Sequence, residues 1–303
     1  MYDIFWWCSA IARMDTRDSL NFVRERYPSS GITLTRTMIP PEEITTFNFV
    51  RRLAYWQDRR GGLLAATMHS RALEGGLNDQ RPPSGADLEI AVEVVPGTWI
   101  DLLLQAKRIF PSGDYDGWKA DQINDLRSWA AHNGDRTPGM LLYNAEIPPF
   151  GPPPQDVKFG GCGMNLIRCH GSQWPPWPPP NDSSPLGITL VVLPKHDNPL
   201  APSLAGDALS ASVVNQYASP LECIFCPRRL AGGTTTRHRN DHIVSTIEPK
   251  AAIPEWAHRL LAAVTQDGDD SVADRPASDD ESWAARYSLV LPYVEQASEP
   301  DAE

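Results

Sequence analysis

Between Asp87 and Lys107 apolar and polar residues alternate with a period of two. Leu88, Ile90, Val92, Val94, Ile100, Leu102 and Leu104 hold even positions, while Asp87, Glu89, Glu93, Asp101, Gln105 and Lys107 are all odd. Such alternation marks half-buried strands, and Pro96-Gly97 divides the run into a β-hairpin. Directly paired residues of an antiparallel hairpin share a face, so parity tests the register. A two-residue loop at Pro96-Gly97 would pair odd with even and set Glu89 against Leu104. A three-residue loop of Pro96, Gly97 and Thr98 pairs Val95 with Trp99, Glu89 with Gln105 and Asp87 with Lys107. The pattern therefore predicts two acids, an amide and an amine on one face at the far end of the hairpin, roughly 5 Å apart at Cβ in each direct pair.

The rest of the chain reads as alternating helices and strands. Residues 1–26 suggest a helix with Ile4, Cys8 and Ile11 on one stripe, stopped by Pro28 and Gly31. A second helix is predicted from Glu42, after Pro40-Pro41, to about Trp56. Phe47, Val50 and Ala54 lie at i+4, i+7 and i+11 from Glu43, which puts that carboxylate on the core-facing row; a first-turn acid would equally favour the helix dipole. Leu63–His69 reads as a strand. Tyr115–Ala131 carries Trp118, Gln122, Leu126 and Trp129 at helical spacing, and Asn133-Gly134 ends it. Gly139–Tyr143 and Ile188–Leu193 read as buried strands, Leu204–Gln216 and Ile253–Val264 as helices. Strand, strand, helix, strand after a leading helix places the chain in the α/β class.

The odd face of the hairpin resembles the active site of the PD-(D/E)xK nuclease superfamily, the restriction-endonuclease-like fold, in which an acid opens one strand and an acid-x-lysine unit closes the next. Asp87 matches the first acid. Gln105-Ala106-Lys107 matches the second unit with glutamine in place of the acid, as in the Mrr-like branch. More narrowly, Gly85-Ala86-Asp87-x-Glu89 and Gln105-Ala106-Lys107-Arg108, with Glu43-Ile44-Thr45 upstream, are similar to an uncharacterised bacterial domain family of that superfamily. The resemblance covers about residues 40–230.

The resemblance implies a mixed central sheet flanked by helices and a metal-dependent nuclease that hydrolyses phosphodiester bonds in DNA, with a role in bacterial defence against foreign DNA. Mg²⁺ or Mn²⁺ would be held by Asp87, Gln105, Glu43 and Glu89. Lys107 would orient or deprotonate the attacking water and stabilise the developing charge. Tyr115, Gln122 and Arg108 would touch the substrate. Two other readings stay open. One is an inactive module of the same fold that binds nucleic acid or a protein partner, in which Asp87 and Lys107 form only an ion pair. The other is a scaffold of unrelated function whose hairpin has a charged face splayed in water.

The formal charge of −11 changes this picture little once it is located. Eleven acids and two arginines lie from Thr265 to Glu303, a net of −9, which leaves −2 for residues 1–264. The expected organisation is one domain over 1–264 and an acidic, partly disordered tail over 265–303. A near-neutral body neither supports nor excludes a nucleic-acid partner. Eleven prolines between Pro148 and Pro185, including Trp174-Pro175-Pro176-Trp177, read as a polyproline-rich surface insertion over 147–185. Cys223-Ile224-Phe225-Cys226 has the spacing of half a zinc knuckle, and Cys162 and Cys169 could complete it. Leu221, Ile224 and Phe225 around them favour small buried thiols instead, so zinc is not expected. An odd cysteine count, no basic start ahead of the apolar Met1–Cys8 run and no long apolar segment suggest a cytoplasmic chain with no membrane contact. A homodimer is left open.

Overall fold

The computed structural model describes residues 41–59, 65–68, 84–110, 114–115, 118–144, 188–195, 197–200, 209–214, 217–225, 247–266 and 285–293, with single residues at 5, 8, 11, 12, 15 and 204. Helix α1 (Glu42–Arg59) follows Pro41, has Glu42 and Glu43 in its first turn and Arg59 in its last, the charge order that the helix dipole favours. After β1 (Ala65–Met68) come the hairpin strands β2 (Ala86–Val95) and β3 (Thr98–Arg108). Then follow β4 (Asp114–Tyr115), helix α2 (Ala120–His132), β5 (Thr137–Tyr143) and β6 (Ile188–Val192). The short β7 (Leu209–Ser210) leads into one helical turn at Ala211–Val214, and β8 (Ser219–Pro220) into a 3₁₀ turn at Leu221–Phe225. Helix α3 (Glu255–Gln266) and β9 (Ala285–Leu291) complete the described elements.

Seven strands form one mixed sheet in the order β1-β9-β2-β3-β5-β6-β8, and β4 pairs with β7 in a separate ribbon. The pairs β2·β9 and β3·β5 are parallel and the other pairs of the main sheet antiparallel. Even-numbered hairpin residues (Leu88, Ile90, Val92, Leu102, Leu104) bury against Phe49, Val50 and Leu53 of α1. Phe5, Cys8 and Ala12, all helical, join this layer, with the Phe5 ring 6.2 Å from Phe49 and 4.7 Å from Phe225. Ile4 of the expected stripe lies outside the described residues. The odd face is covered by α2, through Ile123, Leu126 and Trp129 on Leu103 and Met140, and by α3, through Trp256 and Leu260 on Ala91 and Trp99. Each fully buried Leu or Ile in these layers contributes about 1.5–3 kcal/mol. The expected α/β class with a mixed central sheet between helices is therefore the fold. No described helix is long and apolar enough to cross a membrane.

The hairpin corrects one expectation and keeps another. The loop is not three residues: Pro96-Gly97 makes a two-residue turn, with Gly97 at φ 75° and Val95 paired with Thr98. A bulge between Glu93 and Val95 then restores odd-to-odd pairing, setting Glu93 opposite Trp99 and Glu89 opposite Leu103. The Glu93 carboxylate accepts from the Gly97 amide at 2.6 Å, which fixes the tight turn. The parity of the faces stands, but the register slides by two, and Asp87, one step beyond the Leu88–Leu104 pair, comes level with Gln105 rather than Lys107.

Three further boundaries move. The helix expected from Tyr115 starts at Ala120, because Asp114 and Tyr115 pair with Ser210 and Leu209. Within the helix expected over Leu204–Gln216, the described residues include a strand at Leu209–Ser210 and one helical turn at Ala211–Val214, where Ser212, Val213 and Val214 are weak helix formers. The expected tail is not all tail: Ala285–Leu291 inserts between β1 and β2 as a buried strand of the main sheet. The proline-rich insertion lies outside the described residues.

Candidate active site

Four chain segments meet where β3 ends. They are the start of β2, the C-terminal end of β3 and the first turns of α1 and α2. Gly85 leads into β2 at φ 67°, a conformation that favours glycine, and lets the first turn of α2 approach the strand. Asp87, Gln105 and Lys107 follow at 5%, 2% and 4% exposure. That burial overturns the reading of the odd face as charges splayed in water.

The polar groups form one directed chain. Lys107 Nζ donates to Gln122 Oε1 at 3.3 Å. Gln122 Nε2 donates to Gln105 Oε1 at 2.6 Å. Gln105 Nε2 donates to Asp87 Oδ2, which also accepts from the Ala106 amide at 2.7 Å. The same Gln105 nitrogen lies 3.3 Å from the Ala106 carbonyl oxygen. Lysine can only donate and a carboxylate can only accept, so the two ends dictate which way both glutamine amides point.

A helical acid does approach this cluster, but it is Glu42 and not Glu43. Glu42 Oε1 stands 3.9 Å from Lys107 Nζ. The buried residues of α1 are Thr46, Phe49, Val50, Leu53 and Gln57; Thr46, Phe49 and Leu53 lie at i+4, i+7 and i+11 from Glu42, so the core-facing row is one position out of phase with the expected one. Phe47, expected inside, is 42% exposed, as is Ile44 at 49%. Glu43 contributes its main-chain oxygen, which accepts from the Tyr287 hydroxyl at 3.3 Å. Tyr143, not foreseen from the sequence, lies on the α1 side of β5, on the face opposite Lys107, and its hydroxyl donates to Thr46 Oγ1 at 2.9 Å. Burial pushes the Tyr143 phenol well above its ordinary pKa; the hydrogen bond to Thr46 pulls the other way, and the charges of Asp87 and Glu42 add to the rise.

Of the other expected site residues, Gln122 is brought in, and Glu89, Tyr115 and Arg108 are not. Glu89 is wholly buried in a second network: Oε2 pairs with Arg136 at 2.5 Å and Oε1 accepts from Ser288 on β9. Burial pushes its carboxyl above the ordinary range, with Arg136 and Ser288 pulling the other way. Asp101 joins this network through Lys250 at 2.7 Å and Trp256 Nε1 at 3.2 Å. Tyr115 is fully buried, and its hydroxyl donates to Asn144 Oδ1 away from the Lys107 cluster's described hydrogen bonds. Arg108 pairs with Tyr143 on the face opposite Lys107 and its guanidinium stacks over Phe110, 4.9 Å from the ring centre. Cys162, Cys169 and Cys226 lie outside the described residues, and for Cys223 only its place in the 3₁₀ turn is described.

The fold and this cluster define an α/β protein with a buried lysine, carboxylate and diglutamine chain at one end of a mixed sheet. The chain belongs to a family of unknown function, DUF6615, whose sequence profile matches residues 78–284 and so spans the hairpin, α2, β5 and β6. No curated protein and no solved structure matches it.

Proposed function

We propose that the protein is a divalent-metal-dependent nuclease of the PD-(D/E)xK type, cleaving phosphodiester bonds in DNA. The observation that carries the reading is the convergence of Asp87, Gln105 and Lys107 from adjacent strands with a glutamate from the leading helix. The resemblance and the spatial arrangement share Asp87, Gln105, Lys107 and Gln122; Glu42 stands where Glu43 was expected, and Glu89, Tyr115 and Arg108 lie elsewhere.

The donor set fits a hard cation on one condition. Asp87 Oδ2 and the Ala106 carbonyl oxygen both face Gln105 Nε2, so two oxygen donors already converge on one point, now held by an amide N–H. A cation at that point would require the Gln105 side chain to draw back and present Oε1 in place of Nε2. No group of three or more His, Cys, Asp or Glu suited to a metal occurs among the described residues, so amide and main-chain oxygens would have to complete the shell beside Asp87. A cation bound there would polarise the phosphoryl oxygen and lower the pKa of the attacking water. The Lys107 ammonium, buried and donating, stabilises negative charge developing on the phosphoryl group. Glu42 balances that ammonium and offers a proton acceptor beside it.

The inward-facing Gln105 N–H favours a second reading, a fold that binds nucleic acid without cutting it. Incubation with plasmid, single-stranded DNA and RNA in Mg²⁺, Mn²⁺ or EDTA decides between them. Cleavage that needs metal and is lost in both Asp87→Ala and Lys107→Ala supports the nuclease. Binding without cleavage supports the second reading, and cleavage that survives in both variants refutes the site.

A further inference from the structure

We infer that Gln122 is a positioning residue that sets the metal affinity of Asp87 and the availability of Lys107 together, through reversal of the two glutamine amides. The inference rests on the proposed nuclease site. In the arrangement described, each amide is committed: Gln122 gives its oxygen to Lys107 and its nitrogen to Gln105, and Gln105 gives its nitrogen to Asp87. Oxygen ligation of a cation beside Asp87 requires Gln105 to present Oε1 there, and its nitrogen then faces Gln122. Two N–H groups would meet unless Gln122 also turns. Once Gln122 has turned, its own N–H faces the Lys107 ammonium, which can only donate, so that hydrogen bond is lost.

Occupation of the metal position and release of Lys107 are therefore one event. In the arrangement described the lysine is tied by Gln122 and faces Glu42 at 3.9 Å. A cation held through the Gln105 oxygen would remove the Gln122 bond and leave Lys107 able to turn toward a phosphoryl group. Because the chain runs unbroken from a cation to an anion, neither amide can reverse alone without leaving a buried polar group unsatisfied.

The prediction runs against the usual effect of deleting a polar residue beside a metal. Gln122→Met removes the partner that holds Gln105 in its metal-excluding orientation, so Mn²⁺ should bind about fivefold more tightly or better. Gln122→Glu, which can only accept, turns the Gln105 nitrogen toward itself and its oxygen toward Asp87, and should also bind Mn²⁺ more tightly. Free Mn²⁺ is titrated by electron paramagnetic resonance against the parent and both variants, with folding checked by circular dichroism. Tighter binding in both variants supports the inference. Unchanged or weaker binding in both overturns it and leaves the nuclease site standing. A gain in Gln122→Glu alone assigns the effect to added charge and also overturns it. A parent that binds no Mn²⁺ refutes the metal site itself and the inference with it. Should Gln122→Met fail to fold, Gln122→Glu is compared on a Gln105→Met background, where the relay requires the gain to disappear and bare charge requires it to persist.

Discussion

A Cβ atom on Gly85 would lie 2.6 Å from the main-chain oxygen of Gln122. Glycine at this position thus serves the site twice, by its left-handed backbone at φ 67° and by the absence of a side chain against α2. Gly85→Ala costs about 1–2 kcal/mol for the backbone alone and pushes the first turn of α2 away from Gln105. Thermal unfolding should show a lower melting temperature, and the metal-dependent cleavage rate should fall further than the stability loss explains. Parental activity in the folded variant would refute this packing.

The exchange of Glu43 for Glu42 is separable by mutation. On the proposed function, Glu42→Gln should reduce cleavage by about 10–100-fold, the usual effect of disturbing groups around a metal site, whereas Glu43→Gln should cost less, since the ion pair that reaches Lys107 is made by Glu42. Single-turnover rates on plasmid measure both. Equal losses would mean that the helix phase is wrong.

On the proposed site, placing an acid at position 105 should make stability metal-dependent. Gln105→Glu replaces the N–H that now satisfies Asp87 with a second carboxylate, and like charges in a buried site destabilise by about 1–3 kcal/mol when no donor lies between them. The melting temperature should fall in EDTA and rise above the parent's in excess Mn²⁺. A fall of the same size in both buffers would count against metal binding at Asp87.

Arg136 tests the second network. Arg136→Met leaves Glu89 buried with Ser288 and removes the charge that partly offsets burial. Breaking a buried pair in this way costs about 3–5 kcal/mol. Glu89 already has its carboxyl pushed up, so its contribution is present below the ordinary carboxylate pKa and is lost as pH rises through the raised value. Urea unfolding should therefore show a deficit that is small near about pH 4 and grows toward neutrality. Mn²⁺ affinity should stay within about twofold of the parent's, because the network shares no hydrogen bond with Lys107 or Gln122 among those described.

How far the molecule is readable from its sequence differs by element. The alternation from Asp87 to Lys107 carries the hairpin faces, since period-two patterning has only two phases. The exact pairing was hidden, because Pro96-Gly97 permits a two-residue turn and a bulge leaves no mark in the pattern of apolar positions. In α1 the exposed Ile44 and Phe47 compete with Thr46 and Gln57, which are polar yet buried, so hydrophobicity alone picks the neighbouring row and the wrong glutamate. Tyr143 sits in a plainly apolar strand, and nothing local says that its hydroxyl meets Thr46, 97 positions away. Leu289-Val290-Leu291 is a strand-like run, but the acids around it suggest solvent, and only the sheet shows where it goes.

That placement has a kinetic corollary. Glu89 and Ser288 are 199 positions apart yet lie on adjacent interior strands of the sheet. Before β9 docks, β2 is an open edge with its amide and carbonyl groups bare toward any other strand, and closing so long a loop is slow. The protein should thus refold slowly and aggregate when refolded at high concentration, and the rate-limiting event should be the arrival of β9 between β1 and β2.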